Sequence, residues 1–255
     1  MKLFYREYGT TGQPLIILHG LLGSSDNWLP QAKMLSDEYH VYVIDQRNHG
    51  QSPHSNEFTY ADLVNDLRAF INEHRLAHPV LLGHSMGGKT VMHYALRYPE
   101  EVERLIVVDI APKPYDVRHD GIVNALQSIP IDAISSRQEA DAILSRYISE
   151  QAVRQFLLKN LMRKPQGGFG WRVNLPVIAQ KLDAISAGLD MQGVYKNPAL
   201  FIRGAHSDYI SDEDRGLIKK YFPASTLVTL NTGHWVQAEK PEEFVNTVRQ
   251  FLHAR

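Results

Sequence analysis

Short apolar runs punctuate the chain: Leu15-Ile16-Ile17-Leu18, Val41-Tyr42-Val43-Ile44, Val80-Leu81-Leu82, Leu105-Ile106-Val107-Val108 and Leu200-Phe201-Ile202. Each is apolar at nearly every position, where a half-buried strand would alternate. That is the pattern of strands buried on both faces, as in a parallel sheet covered by helices. The segments between carry a helical period instead. Tyr60 to Glu73 sets Leu63, Leu67, Phe70 and Ile71 on one stripe, and Met86 to Tyr98 does the same with Val91, Ala95 and Tyr98. A continuous apolar run can also be a piece of buried helix, but five runs this short, separated by helical patterns, predict an α/β fold on a mostly parallel sheet.

The alternation stops near Pro112 and resumes near Pro198. Between them helical stripes dominate: Ile122, Val123, Leu126 and Ile129; then Ile143, Leu144, Tyr147 and Ile148; then Val153, Phe156, Leu157 and Leu161. Ser136 and Glu139 form an S-x-x-E capping box ahead of the second stripe. Pro165 to Gly170 is expected to be a flexible break, and Asn174-Leu175-Pro176 a further helix start. Strand-like sequence returns at Ala199. Residues 112–197 are therefore expected to be a helical insertion, a cap in one domain whose core is 1–111 and 198–255, and not a second small domain.

Composition narrows the chemistry. The 255 residues carry 27 Lys and Arg against 28 Asp and Glu, a net charge of -1, so no global basic field is available for nucleic acid. The chain has no cysteine, which excludes disulfides, thiolate metal sites, Fe–S clusters and cysteine nucleophiles. The start, MKLFYREYG, lacks the apolar run of a signal peptide, and no stretch approaches the ~18 apolar residues of a membrane span. A soluble, cytoplasmic protein is expected. His74 with His78 is an isolated i, i+4 pair without the intervening pattern of a zinc helix, and Gly87-Gly88-Lys89-Thr90 is only the tail of a P-loop. Neither a metal nor a nucleotide cofactor is expected, and no coiled coil or apolar stripe fixes an oligomeric state.

Gly83-His84-Ser85-Met86-Gly87 directly follows the Val80-Leu81-Leu82 run and leads into the helical pattern from Met86. A G-x-S-x-G string alone is weak; between a strand and a helix it predicts a nucleophile elbow, a sharp turn that lifts the serine clear of the sheet. A serine hydroxyl needs a base. Of the 12 histidines, His234 has the expected setting, after the strand-like Thr226 to Leu230 and before a helix near Pro241. The third member is a carboxylate between the two in chain order. Asp109, at the tip of the Leu105–Val108 run, and Asp208, after the Leu200–Ile202 run, both qualify; Asp45 precedes the serine and has the wrong order. The oxyanion needs two backbone donors, expected from Met86 N–H and, in His19-Gly20-Leu21-Leu22-Gly23-Ser24, from Leu21 N–H. Trp235, beside the base, is expected to line the substrate pocket. Arg47-Asn48-His49-Gly50-Gln51-Ser52 follows another strand tip and is expected to anchor loops.

These strings, with Val108-Asp109-Ile110-Ala111-Pro112 and Gly233-His234-Trp235, together resemble the α/β-hydrolase superfamily over essentially the whole chain. They are most similar to a group of small esterases with bacterial and mitochondrial members. The resemblance implies an ester- or thioester-hydrolysing enzyme with a helical cap over the site. It also implies that the acid follows the strand ending at Val108, which maps onto Asp109. Relatives carry a Ser-x-Tyr string like Ser207-Asp208-Tyr209 whose middle residue need not be acidic, which ranks Asp208 second. The expected partner is a small-molecule ester or thioester. Dehalogenases and most epoxide hydrolases of this fold place an aspartate at the elbow, so Ser85 speaks against them. A lyase, a C–C hydrolase, a cofactor-free peroxidase and a slow-turnover ligand receptor retain serine and histidine and stay open.

Overall fold

A computed structural model describes residues 1–116, 120–189 and 192–254. The strands of its main sheet are β1 (Tyr5–Tyr8), β2 (Pro14–Leu18), β3 (His40–Ile44), β4 (Val80–His84) and β5 (Arg104–Val108). After an insertion holding β6 (Leu161–Arg163) and β7 (Phe169–Trp171) come β8 (Ala199–Gly204) and β9 (Ser225–Leu230). Their lateral order is β1-β3-β2-β4-β5-β8-β9. Strand β1 runs antiparallel to β3 and every other pairing in the sheet is parallel.

Both faces of the sheet are covered, which is why the strands read as unbroken apolar runs. Leu15, Ile17, Val41, Val43, Ile106 and Ile202 pack with Ala32 and Leu35 of α1 (Leu29–Leu35) and with Phe244 and Val248 near the chain end. Ile16, Leu18, Tyr42, Leu81, Leu105 and Phe201 face the other way, onto α2 (Tyr60–Glu73) and α3 (Met86–Arg97). Each such side chain contributes roughly 1.5–3 kcal/mol by leaving water. Helix α2 begins at the expected residue because Thr59 caps it: the Thr59 side chain accepts from Asp62 N–H (3.3 Å) while the Asp62 carboxylate accepts from Thr59 N–H (3.0 Å). The edge strand β1 has no counterpart among the sequence expectations. Its Tyr-Arg-Glu-Tyr is only four residues long and half exposed, so it lacks a run long enough to register.

Between β5 and β8 lie α4 (Asp120–Gln127), α5 (Arg137–Leu144), α6 (Gln151–Leu158), α7 (Leu175–Gln180) and α8 (Leu182–Ser186). Ser136 caps α5 as expected, its Oγ accepting from Glu139 N–H (3.1 Å), but the Glu139 carboxylate closes on Ser135 and not on the cap residue. Two further expectations fail here. The stripe through Tyr147 and Ile148 outruns its helix, which ends at Leu144 and leaves Tyr147 61% exposed. The stretch from Pro165 to Gly170 is no flexible break: β6 and β7 pair antiparallel across it. Gly167 (φ 93°) and Gly168 (φ 78°) supply the left-handed residues of the hairpin turn, and Lys164 N–H bonds Gly168 O (3.1 Å). Three-residue strands are too short for periodicity to detect.

The insertion packs onto the elements at one edge of the sheet. Its buried residues, including Val123, Leu126, Leu157 and Ile178, share one apolar cluster with Leu21, Leu22, Tyr60 and Met86 from the loops and helices at the C-terminal edge of the sheet. After β8 come α9 (Asp214–Tyr221), the short α10 (Val236–Glu239) and α11 (Pro241–His253). Among the described residues no helix is long and apolar enough to cross a membrane.

Candidate active site

Ser85 sits between the last residue of β4 and the first of α3 at φ 52°, ψ −117°, a backbone region that costs a non-glycine residue energy. The neighbouring glycines make the turn possible. A Cβ on Gly83 would stand 2.2 Å from Gly87 O, and one on Gly87 would stand 2.5 Å from Leu18 O. With both side chains absent, strand and helix close on each other and the serine is forced outward. The N-terminus of α3 then lies behind Ser85, where its dipole favours negative charge.

The loop after β2 comes up beside it. Two buried histidines of the same tautomer hold this loop. His19 Nδ1 donates to Gly20 O (2.8 Å) and its Nε2 accepts from Gln46 N–H (3.0 Å). His49 Nδ1 donates to Arg47 O (2.9 Å) and its Nε2 accepts from Leu22 N–H (3.1 Å). Arg47 in turn pairs with Asp66 (2.6 Å), and Asp45 accepts from Ser25 N–H (2.6 Å) and Gln51 N–H (2.8 Å). The segment after β3 thus anchors the loop that presents Leu21. Among the described residues, neither Leu21 N–H nor Met86 N–H is given to a backbone carbonyl.

Burial pushes His19 down to about 4 and His49 down to about 3, the latter helped by His19 beside it. His84 lies well below its ordinary value for the same reason. All three are neutral in the fold and gain protons on unfolding. Because the folded values lie below the ordinary 6.5, the unfolded chain binds more protons beneath that pH. Stability is then full above about 6.5 and falls toward pH 4, by up to about 3 kcal/mol for each of His19 and His49. The urea midpoint should drop steeply from pH 7 to 4.5, and less steeply in His49→Asn; equal slopes would remove His49 from this account.

His234 follows β9 on the loop before α10. Its Nδ1 meets Asp109 Oδ2 at 2.8 Å. A carboxylate partner fixes the proton on Nδ1 and leaves Nε2 as the acceptor. Asp109 directly follows β5 at φ 50° and is fully buried. It also accepts from Gly204 N–H (2.9 Å) and from the Ser207 hydroxyl. Asp208, the second-ranked acid, is exposed on the loop after β8. Two further residues grip His234: the Tyr209 ring stacks on it at 4.0 Å, and His84 Nε2 donates to its carbonyl (2.9 Å). Ser207, Tyr209 and His84 were not singled out as site residues from sequence. Their strings gave the signal, as the x of G-x-S-x-G and the ends of Ser-x-Tyr, but neither string says which residue touches the imidazole.

Ser85 lies where two cavities meet. The larger, about 560 Å³, is lined by Ser85, His234, Trp235, Leu21 and Leu22 from the core and by Phe156 of α6, whose ring is 5.7 Å from that of Trp235. The smaller, about 30 Å³, is lined by Ser85, Leu21 and Met86 with Tyr60, Lys89 and Tyr115. Among the described residues, no group of three His, Cys, Asp or Glu could hold a metal ion.

A serine at a strand-to-helix elbow, with a histidine and a buried aspartate on loops at the same edge of a parallel sheet, defines a class, and the comparisons agree with it. The chain belongs to the alpha/beta hydrolase fold family, whose model matches residues 13–241. It is 35% identical to Esterase YbfF of Escherichia coli (strain K12), over 99% of this chain and 100% of that protein. It is 39% identical to the sn-1-specific diacylglycerol lipase ABHD11 of Xenopus laevis, over 95% of this chain and 80% of that one. Among solved structures, one described as a marine microorganism esterase superposes with a TM-score of 0.96 at 43% identity, covering 98% of this chain and 99% of that one. The protein is a hydrolase of the esterase and lipase kind.

Proposed function

We propose that the chain is a serine hydrolase that cleaves carboxylic esters or thioesters of small to medium acyl chains through an acyl-enzyme. Ser85 is the nucleophile, His234 takes its proton at Nε2, and Asp109 holds the imidazole in the tautomer that can do so. Leu21 and Met86 N–H stabilise the oxyanion. Water activated by the same histidine then releases the acid. Residues 112–197 act as a cap that shapes the acyl pocket and excludes water, and Trp235 lines that pocket against Phe156.

The observation that carries this reading is the meeting of an elbow serine and an aspartate-backed histidine on one 560 Å³ cavity. Esters and thioesters both present an acyl carbonyl to that geometry. Initial rates on p-nitrophenyl esters from acetate to palmitate test it. Turnover should rise to a maximum at short or medium chains and fall at palmitate, sized by the cavity. No turnover at any length would sink the esterase reading and favour a lyase or a ligand receptor.

A further inference from the structure

The insertion leaves and re-enters the core on two legs that bond to each other above α3. Tyr115 N–H on the outgoing leg donates to Ser186 O on the returning one (2.9 Å), and Leu189 N–H donates to Pro112 O (3.3 Å). Beneath them stands Lys89, one helical turn after Ser85 and 1% exposed. Its Nζ donates to Ser186 O (3.2 Å) and to Ala187 O, while Tyr60 Oη donates to Ile185 O (2.7 Å). Helix α8 ends at Ser186, so these carbonyls have no further helical turn to bond and carry the negative end of the helix. Among the described residues no carboxylate lies within ion-pair distance of this buried ammonium, which is costly, and an apolar side chain would fill the same space more cheaply. What the lysine adds is its grip on both carbonyls.

From there a chain of contacts reaches the imidazole. The Tyr115 hydroxyl accepts from Ala111 N–H (2.7 Å) and donates to Tyr209 O, and the Tyr209 ring lies on His234 at 4.0 Å with a tilt of 19°. We propose that Lys89 and Tyr115 are positioning residues: by tying the insertion's legs to Tyr209, they hold the His234 imidazole at the rotation that keeps Nδ1 on Asp109. The seating of the insertion then sets the rate of acyl transfer. This rests on the Ser85–His234 reading above.

The charge on Lys89 gives a second handle. Around the amine stand Tyr60 from α2, His93 from α3, and Tyr115 and Asp116 from the outgoing leg. Burial lowers Lys89 to about 7 and His93 to about 4, and raises both tyrosines, so His93 and the tyrosines are neutral near pH 7. As pH rises through about 7 the amine loses a donor and turns a lone pair toward the carbonyls. The grip therefore weakens on the alkaline side.

The test compares kcat and KM on p-nitrophenyl butyrate for the parent, Lys89→Met, Tyr115→Phe and the double variant. Tyr115→Phe removes one oxygen and is the variant expected to fold in any case. Each single change should lower kcat about tenfold with KM nearly unchanged, and the double should be no worse than the worse single. The parent's kcat should fall above pH 7 with a limb that Lys89→Met lacks. The downfield proton signal of His234 Nδ1 should broaden in both variants. Effects that multiply in the double variant, or that appear only in Tm with kcat and the proton signal unchanged, would overturn the proposal. If the parent turns over no ester, the esterase reading falls, and the proton signal alone decides the positioning link.

Discussion

Ser85→Ala is expected to leave a folded protein whose ester turnover is lower by on the order of a million-fold. Alanine keeps the Cβ, so the backbone at φ 52° is no more strained than before. The lost oxygen belongs to a side chain that lines both cavities, so its removal opens no hole in a packed layer. Tm should therefore move little while rate collapses. The residue of activity should still exceed that of water by about 10³–10⁴, because Leu21 and Met86 N–H and the pocket walls remain. Two measurements check this: initial rates on the best p-nitrophenyl ester, and intact mass after treatment with a fluorophosphonate. The parent should gain a single adduct and the variant none. Equal rates in parent and variant would remove Ser85 from the chemistry and, with it, the acyl-enzyme.

The sheet could be read from the chain because burial on two faces leaves a signature that little else produces. β2, β3, β4, β5 and β8 each contain one of the unbroken apolar runs, and within each run alternate residues go to opposite cores. The insertion was harder. Its apolar residues are buried against Leu21, Leu22 and Met86 from distant parts of the chain. Stripe residues there answer to a curved composite surface, so the stripe through Tyr147 outran its helix, and the hairpin of β6 and β7 had no period to show.

The site divides in the same way. Ser85 could be found because an elbow needs glycines two positions either side, a constraint local enough to appear as a string. His234 and Asp109 could be placed at strand tips from the residues alone but paired only through the family resemblance, since their 2.8 Å contact closes across β5, β8 and β9. Ser207, Tyr209 and His84 are set by that same closure, and nothing near them in sequence marks a residue that stacks on an imidazole or holds its carbonyl. Lys89 stands two residues past the elbow string and drew no role of its own beyond the tail of a broken P-loop. Its partners, the carbonyls of Ser186 and Ala187, lie about a hundred residues away and have no sequence signature at all.

Two aspartates between Ser85 and His234 follow the strand-like runs named as candidates, and substituting each in turn separates them. Asp109→Asn is expected to lower kcat about ten-thousand-fold with KM little changed, by the tautomer argument that governs such triads. Asparagine tolerates the left-handed backbone at this position, so the loop after β5 should hold its path. The amide, however, cannot serve all three donors. Oδ1 receives Gly204 N–H and Oδ2 receives both Ser207 and His234. Keeping the carbonyl oxygen on Gly204 turns the amide NH₂ toward His234 Nδ1, which must then become the acceptor. The proton moves to Nε2, and the nitrogen facing the serine can no longer take a proton. Asp208→Asn changes an exposed side chain, and its effect should stay within about threefold. Measuring kcat and Tm for both variants decides the matter. A collapse confined to Asp208→Asn would move the acid to the loop after β8. Collapse in Asp109→Asn with Tm falling by only a few degrees would show that the buried carboxylate is kept for the orientation of His234 more than for the stability of the fold.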